Sequence, residues 1–322
     1  MALRRLLDQA LTPRKRVVWY LTGRLVWLVI ALWAIVSITF LLIYVIPGDP
    51  VSAIIGGRAS GSVLKAVQHQ YGFDQPVWVQ YGRFWRQLGH GDLGFSFATQ
   101  QAVWPAIRSR LPATAALAGA GVLLELVIGV AAGIFAALNR GTWRDRFAIG
   151  TVVVGLAVPP FFMGLLLIYL LAFELPIFPV GGGGGLRHLA LPALTIGLTG
   201  GAYYARLLRS RLVEVMDEDF VRASRARGLR ERTIFVRHVL RNSILPVVTW
   251  FGMDLGYFLS GVIAVEAVFG WPGIGLLTFQ AIGSFDTPMI VGNVLVSAVA
   301  IVLVNLCVDL LYPILDPRIA RS

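Results

Sequence analysis

Long apolar stretches separated by short charged segments make up most of this chain. A helix needs about 20 predominantly apolar residues to cross the hydrocarbon core of a membrane. Six stretches meet or approach that length, at residues 25–46, 114–138, 147–172, 189–208, 244–266 and 288–312. The first is longer than the apolar region of a secretory signal peptide and lacks a small-residue cleavage pattern, which indicates a retained span. The pattern predicts an all-α polytopic membrane protein with six transmembrane helices.

The distribution of basic residues predicts how these spans are oriented. With both termini inside, 21 of the 28 Lys and Arg residues lie on the inner side and seven on the outer side. Loops rich in Lys and Arg stay preferentially in the cytoplasm, so we expect an N-in and C-in arrangement. Residues 1–24 and 313–322 are then a cytoplasmic segment and a cytoplasmic tail. Residues 114–312 form a five-helix core that includes a cytoplasmic loop at 209–243.

Residues 47–113 form an external segment between the first two spans, and its pattern predicts amphipathic helices. Ser62 stands where it can cap a short helix that ends near Gly72. A second helix begins after Pro76, because bulky residues follow at helical spacing, namely Val77, Tyr81, Phe84, Trp85 and Leu88. Its aromatic face suits the outer membrane interface, where it would only anchor the chain, or the flank of another subunit.

A run of five glycines at 181–185 separates the third and fourth spans. Glycine lacks a side chain for packing and loses much conformational freedom when it is ordered, so we expect a flexible link. A phosphate cradle would need a strand before the run and a helix N-terminus after it, and neither pattern is present.

Composition agrees with a membrane protein and narrows the chemistry. Hydrophobic residues make up 57% of the 322 residues and charged residues 14%, against about 45–50% and 25% in soluble domains. The net charge of +11 does not indicate nucleic-acid binding, because the basic residues fall between apolar runs. The single cysteine, Cys307, excludes an intrachain disulfide, and the four histidines show no metal-ligand spacing.

The sequence contains no motif for catalysis or nucleotide binding. The patterns G-x-x-x-x-G-K-[ST], H-E-x-x-H, G-x-S-x-G and the Rossmann glycine fingerprint are all missing. The only lysines, Lys15 and Lys65, do not follow a glycine loop. We therefore expect that this chain is not an enzyme and carries no catalytic residue, cofactor or metal.

The segment EDFVRASRARGLRERTIFVRHVLRN at 218–242 interrupts the apolar pattern with seven arginines. Acidic residues at 217–219 precede a helical pattern, where negative charge is favourable at the positive end of the helix dipole. Gly228 stands where a left-handed residue can end a helix. A second helical pattern follows, with apolar Ile234, Phe235, Val239 and Leu240. Two short helices joined at Gly228 are expected.

The first of these helices is expected to be a docking surface for another protein. Its small residues, Ala223, Ser224, Ala226 and Gly228, let another backbone or packed side chains approach closely. Contact with anionic lipid would explain the arginines, but a lipid-facing helix gains affinity from bulky apolar groups. We favour protein docking over simple lipid contact.

The segment EDFVRASRARGLRERTIFVRHVLRNSILPVVT resembles the cytoplasmic E-A-A loop of binding-protein-dependent ABC importer permeases, in the form found in the dipeptide/oligopeptide group. The three-residue core falls on Arg222, Ala223 and Ser224, so two of its positions depart from Glu-Ala-Ala. The longer pattern RASRARGL…RHVLRN is specific. Other stretches are similar to the first permease of such operons, in order PGDP, YGFDQPVWVQY, GDLGFSF, LPALTIGL, EAVFGWPGIG and NLCVDLLYPILDPRI.

This resemblance implies a permease subunit of an ATP-driven importer in the inner membrane, with short peptides as the expected solute. It implies four kinds of partner: a second homologous permease, two cytoplasmic ATPases that hold ATP and Mg, an extracytoplasmic solute-binding protein, and membrane lipid. No nucleic acid is expected. The resemblance assigns ATPase coupling to the loop around Gly228, on Asp219, Arg222, Ala223, Ser224, Ala226, Gly228 and Leu229. Similar permeases handle dipeptides, oligopeptides, glutathione or nickel chelates.

Two acidic residues within the predicted spans are candidates for a contact with the solute or with a partner subunit. Glu125 and Asp254 would be costly facing lipid, so we expect both to face protein or a water-filled pathway. The alternative function is an ion-gradient-driven secondary transporter that acts without an ATPase. Such transporters usually show internal repeats with interrupted helices, and no repeat is visible in this sequence.

Overall fold

The computed structural model describes residues 13–45, 69, 74–96, 98–259 and 261–315. Helices make up most of this described chain, as the apolar pattern predicts. The first half contains α1 (Pro13–Val45), α2 (Val77–Gly89), the antiparallel strands β1 (Phe95–Ser96) and β2 (Gln101–Ala102), α3 (Val103–Leu138), α4 (Trp143–Ala157) and α5 (Pro160–Ile168), which continues into a π-helical turn at Tyr169–Glu174.

The second half contains α6 (Leu186–Met216), α7 (Asp219–Ala226), α8 (Glu231–Ile234), a π-helical turn at Phe235–Leu240, α9 (Arg241–Ser243), α10 (Leu245–Leu259), α11 (Ile263–Phe269), α12 (Ile274–Gly283) and α13 (Thr287–Leu315). The two-residue strands form the single hairpin of the described chain, so the all-α prediction is otherwise confirmed.

Two described helices are long and apolar enough to cross a membrane, α3 and the part of α13 at Thr287–Cys307. Two further pairs qualify if each is one broken span: α4 with α5, bent by 103°, and α10 with α11, bent by 57°. Pro159 and Pro160 lie at the first bend, since proline cannot continue the preceding helix.

By length and composition, the described residues show fewer candidate spans than the sequence predicts. In α1 (Pro13–Val45) the apolar stretch that the described side chains show is Leu25–Leu41, and the predicted span at 189–208 lies in α6, whose apolar residues are diluted by Gly, Thr and Arg. Up to four spans are therefore recognisable in the described residues. The six-span count and the N-in orientation stay predictions.

The second predicted span begins much earlier than expected. Helix α3 starts at Val103, inside the segment predicted to be an external connection at 47–113. Its first turns carry few apolar runs, but Val103 and Ile107 are fully buried against Ile274 of α12 and Met289 of α13. Tertiary packing, which a hydropathy pattern does not record, extends this helix.

Helices α3 and α6 form the centre of the fold, and glycines let them approach closely. A β carbon at Gly121 of α3 would lie 2.8 Å from Cγ2 of Ile196, and one at Gly197 of α6 would lie 2.7 Å from Cβ of Leu124. A β carbon at Gly133 would lie 2.9 Å from the carbonyl oxygen of Ala205. These distances are shorter than van der Waals contact, so larger residues would push the two helices apart.

The aromatic helix predicted after Pro76 is confirmed as α2. Part of its aromatic face packs against α1 and α13. The Tyr81 hydroxyl shares a hydrogen bond of 2.7 Å with Ser37 of α1. Phe84, Trp85 and Leu88 pack against a buried cluster formed by Val36 of α1 with Val291 and Leu295 of α13. These residues therefore pack within the chain. The helix predicted at about 62–72 lies outside the described residues, except for His69, which is helical.

The glycine run at 181–185 is packed against the connection between α11 and α12, in contrast to the flexible link that we expected. The N–H of Gly182 donates a hydrogen bond of 2.7 Å to the carbonyl oxygen of Phe269. Gly183 lies so close to Pro272 that a β carbon would be 2.8 Å from its Cγ. Close neighbours leave no room for a side chain at Gly181 and Gly183, whereas Gly182 and Gly185 adopt φ values of +89° and +100°, which favour glycine.

Candidate functional site

The small-residue segment that the sequence singles out forms α7, a short two-turn helix with a defined end. The N–H of Gly228 donates to the carbonyl oxygen of Arg225 at 2.9 Å, and the N–H of Leu229 donates to that of Ser224 at 3.3 Å. Gly228 has a φ of +76°, in the left-handed region, as the sequence predicts. Helix α8 follows after two further residues, so the expected pair of short helices joined at Gly228 is confirmed.

One face of α7 is open to its surroundings. Exposed on it and at its end are Asp219, Arg222, Ala223, Ala226, Gly228 and Leu229. Ser224 is half-buried, and its hydroxyl donates a hydrogen bond of 2.7 Å to the carbonyl oxygen of Phe220. The outward face of α7 therefore carries the small side chains of Ala223 and Ala226 beside the exposed ion pair of Asp219 and Arg222.

The opposite face of α7 is held firmly by the helices next to it. Val221 is fully buried in a cluster with Ile234 and Val239, and this cluster includes Leu208 of α6 and Val247 of α10. A displacement of α7 must therefore move the ends of α6 and α10 as well, since packed interiors transmit strain.

An ion pair connects α7 to the start of α8 across the glycine. Arg225 Nε donates to Glu231 Oε1 at 2.7 Å. This hydrogen bond raises the pKa of the Arg225 guanidinium above its ordinary value. Both side chains are exposed, so the pair orients the two short helices more than it stabilises them.

The loop between α3 and α4 is tied to the same end of the fold by contacts that our sequence analysis missed. Arg209 of α6 binds Asp145 of α4 with two hydrogen bonds, and exposed Arg140 contacts Asp217, just before α7, at 2.8 Å. Partners 64 and 77 residues apart share no periodic signal.

The two acidic residues expected to avoid lipid lie beside α6. Glu125 of α3 is 2% exposed and its Oε1 lies against Gly200. Asp254 of α10 is half-buried, and its Oδ2 accepts a hydrogen bond of 2.6 Å from the Tyr204 hydroxyl. Glu125 therefore faces protein within this chain, as expected, and Tyr204 is the connecting residue that the sequence did not reveal.

Another buried carboxylate, which the sequence analysis did not single out, organises the start of α12. Glu266 is fully buried, and its Oε2 accepts a hydrogen bond of 2.9 Å from the N–H of Leu276. Its Oε1 accepts one of 3.1 Å from Thr114 of α3, whose hydroxyl oxygen accepts the N–H of Ile274 at 2.8 Å. The available signal was an acidic residue in an apolar helix just before a glycine-rich turn and a new helix.

Comparison with known proteins identifies the family to which this chain belongs. A model of the family described as "Binding-protein-dependent transport system inner membrane component" matches residues 129–321. A model of the N-terminal part of such membrane components matches residues 17–118. The chain belongs to this family. It is an inner-membrane permease of an ABC importer, of the dipeptide/oligopeptide type.

Curated relatives support the same assignment over nearly the whole chain. The glutathione transport system permease protein GsiC of Escherichia coli O6:H1 is 37% identical over 300 residues, which cover 93% of this chain and 98% of the relative. GsiC proteins of Escherichia coli K12 and Salmonella paratyphi A are each 36% identical with the same coverage. The secondary-transporter alternative is not favoured, because these relatives are ABC transporter permeases.

Solved structures support the fold alone. A chain of the MetNI methionine ABC transporter in an inward-facing conformation superposes with a TM-score of 0.53 at 21% identity, covering 65% of this chain and 96% of that chain. A second crystal form gives a TM-score of 0.55 at 18% identity.

Members of the family work with another permease, ATPases and a binding protein, and ATP is hydrolysed on the separate ATPase subunits.

Proposed function

We propose that this chain and a second, homologous permease together form the pathway by which short peptides enter the cell. The chain crosses the inner membrane six times with both termini in the cytoplasm, as the excess of basic residues on one side predicts. The loop at 209–243, with α7, then lies in the cytoplasm, in reach of two ATPases that bind ATP and Mg. An extracytoplasmic binding protein delivers the solute to the other side.

One observation carries this proposal, namely that α7 is open on its small-residue face and locked on the other. The exposed Ala223 and Ala226 are small enough for α7 to enter a groove of an ATPase. The buried Val221 packs the helix against α6 and α10. Closure of the ATPases on ATP moves α7 as a rigid piece. The motion reaches α6 and α10 and switches the pathway between outward and inward access.

The solute class follows from the relatives. GsiC proteins are named for glutathione, a tripeptide with a free α-ammonium group and free carboxylates. We infer that this permease also conducts short peptides with a free amino group, while the binding protein selects among them.

Site-specific cross-linking tests whether α7 seats in an ATPase. Cys307, the one cysteine of the chain, is replaced by serine, and Ala223→Cys is introduced in the complex purified with its native neighbours. With a second cysteine introduced in the groove of the ATPase, a short bifunctional maleimide should cross-link the permease to the ATPase. Trp78→Cys on α2, which is also exposed, serves as the control and should give no such product.

Transport by reconstituted liposomes tests the function as a whole. The complete complex, with binding protein outside and ATP inside, should accumulate dialanine or glutathione, and the permease alone should not. Uptake by the isolated chain in an ion gradient, with no ATPase present, would overturn the proposal in favour of the secondary transporter.

A further inference from the structure

The first turns of α4 present a basic and aromatic surface to the surroundings of the chain. Trp143 and Phe147 are 71% and 70% exposed, and they stand one turn apart on the same side of the helix. Successive helical residues are turned by about 100°, so Arg144 and Arg146 flank this aromatic pair on its two sides and Asp145 lies opposite. Both arginines are exposed. We call Trp143, Arg144, Arg146 and Phe147 the α4 basic patch.

The positive charge of the α4 basic patch is not neutralised by the carboxylate between its two arginines. Asp145 is buried and bound by Arg209 of α6. Neither Arg144 nor Arg146 takes part in an ion pair among the described residues. The Arg144 guanidinium instead lies 5.8 Å from the centroid of the Trp143 ring, which keeps the charge next to the aromatic surface. The patch therefore carries two positive charges that are available to a partner.

An apolar face continues from the patch along α4. Gly150 and Val154 follow Phe147 at spacings of three and four residues, and both are exposed, Val154 to 62%. Val152, on the other side of the helix, packs against α6. Helix α4 together with α5 is a candidate membrane span. An ATPase outside the membrane would not reach the far end of this face, whereas a phospholipid has a charged headgroup and acyl chains in the matching order.

The patch lies at the same end of the fold as α7. Arg140, in the loop before α4, contacts Asp217, which precedes α7. The proposed function puts α7 in the cytoplasm, and the inference rests on it for placing the patch at the inner membrane surface. Tryptophan is enriched at such surfaces, and anionic lipids of the inner leaflet attract arginines there.

We propose that the α4 basic patch binds the headgroup of an anionic phospholipid in the inner leaflet. The guanidiniums of Arg144 and Arg146 bind the phosphate, since their planar sets of N–H donors match its oxygens. Trp143 and Phe147 lie beside the glycerol and upper acyl chains, and the apolar face that follows contacts the rest of the lipid. A phosphatidylcholine headgroup fits less well, because its own ammonium group opposes the two arginines.

Fluorescence quenching by spin-labelled lipids tests which lipid occupies the patch. Gly150→Cys is made with Cys307→Ser in the complete complex, because Gly150 is exposed and a β carbon there meets no atom within 4 Å. The thiol is labelled with bimane, and the complex is placed in vesicles of equal amounts of phosphatidylglycerol and phosphatidylcholine. A nitroxide is attached at the same acyl position of one lipid or the other. The ratio of the two quenching efficiencies then reports local enrichment, because the depth of the nitroxide is the same.

We expect phosphatidylglycerol to be enriched about fivefold or more beside this label, because the attraction of one arginine to an anionic surface corresponds to about that factor. Arg144→Gln should remove most of the enrichment. Arg140→Gln is the matched control, since it removes the same charge from the same loop but from an arginine already paired with Asp217. It should lower the enrichment much less. A label at Gly119→Cys, exposed on α3 and equally free of neighbours, should show no preference.

Three results would overturn the headgroup site. Equal quenching by the two lipids beside Gly150 would show that the patch does not select anionic lipid. An equal loss of enrichment in Arg140→Gln and Arg144→Gln would show only a general attraction by the basic loop. A label that neither lipid quenches would show that another protein covers this face. Peptide uptake by the same vesicles is measured separately, so a failure of peptide import leaves the lipid ratio to decide the site.

Discussion

The guanidinium of Arg209 grips the carboxylate of Asp145 through two hydrogen bonds, from Nε to Oδ1 at 2.7 Å and from Nη2 to Oδ2 at 2.6 Å. Asp145 also accepts the N–H of Gly141 at 3.0 Å, and its side chain is only 6% exposed. The pair joins the first turn of α4 to α6 two turns before that helix ends. It therefore fixes the α3–α4 loop to the element that leads into α7.

Replacing Arg209 with alanine should lower the free energy of unfolding by about 1.5–3 kcal/mol, because a mostly buried carboxylate loses its charged donor. Denaturant unfolding of the purified chain in detergent measures this change. Arg140→Ala is the matched control, since the Arg140–Asp217 pair is 50% and 60% exposed and should contribute about 0–1 kcal/mol. Equal losses of unfolding free energy in the two variants would show that the Arg209–Asp145 pair contributes no more to stability than the exposed Arg140–Asp217 pair.

The arginine segment shows how much of the candidate site could be predicted from the sequence. The helix end at Gly228 is a local property of the chain, because a left-handed residue and small neighbours are visible in the sequence itself. The helix after Pro76 was predictable for the same reason, since its apolar spacing is local. Which protein covers the exposed face of α7 is not a local property, so that part stays a prediction.

The contacts that the sequence did not reveal all join distant segments. Thr114 and Glu266 are 152 residues apart, and the pair that holds Asp145 is 64 apart. A single sequence carries no record of such pairing, because each side chain alone reads as a polar interruption of an apolar run. The early start of α3 and the packing of the glycine run were missed for the same reason.

Gly200→Ala should destabilise the α3–α6 contact. The added methyl group would overlap the carboxylate of Glu125, so this side chain would have to leave its position in the contact between α3 and α6. We expect a loss of about 1–3 kcal/mol in the free energy of unfolding. Gly119→Ala is the control, because Gly119 is exposed on α3 and a methyl group there meets no atom within 4 Å. A Gly200→Ala protein as stable as Gly119→Ala would contradict the packing.

Glu266→Ala should detach the start of α12. The substitution removes the acceptor of the Leu276 N–H and of the Thr114 hydroxyl, and each buried donor left without a partner costs about 1–3 kcal/mol. Thermal unfolding in detergent should show the loss. Thr278→Ala on the same helix is the control, because its hydroxyl only adds a bond to the Ile274 carbonyl oxygen. Similar melting of the two variants would argue against this role for Glu266.

Gly228→Val should reduce ATP-driven peptide uptake while leaving the complex assembled. A β-branched residue resists the φ of +76° at this position, so the variant strains the connection between α7 and α8 and shifts the exposed face of α7. ATP hydrolysis should then lose its stimulation by the loaded binding protein. Uptake and ATPase activity of the same liposomes measure the two effects together.

Gly91→Val is the matched control for this loss of coupling. Gly91 has a φ of +74°, and a β carbon there would meet no atom within 4 Å. It follows α2 as Gly228 follows α7, and its N–H donates a hydrogen bond of 2.9 Å to the carbonyl oxygen of Leu88, three residues earlier. Both variants carry the same backbone strain, of about 1–2 kcal/mol. If strain alone mattered, both would transport equally poorly. Because only Gly228 adjoins the surface proposed to meet the ATPase, we expect Gly91→Val to keep stimulated hydrolysis and uptake. Normal coupling in Gly228→Val would show that α7 does not transmit the motion of the ATPases.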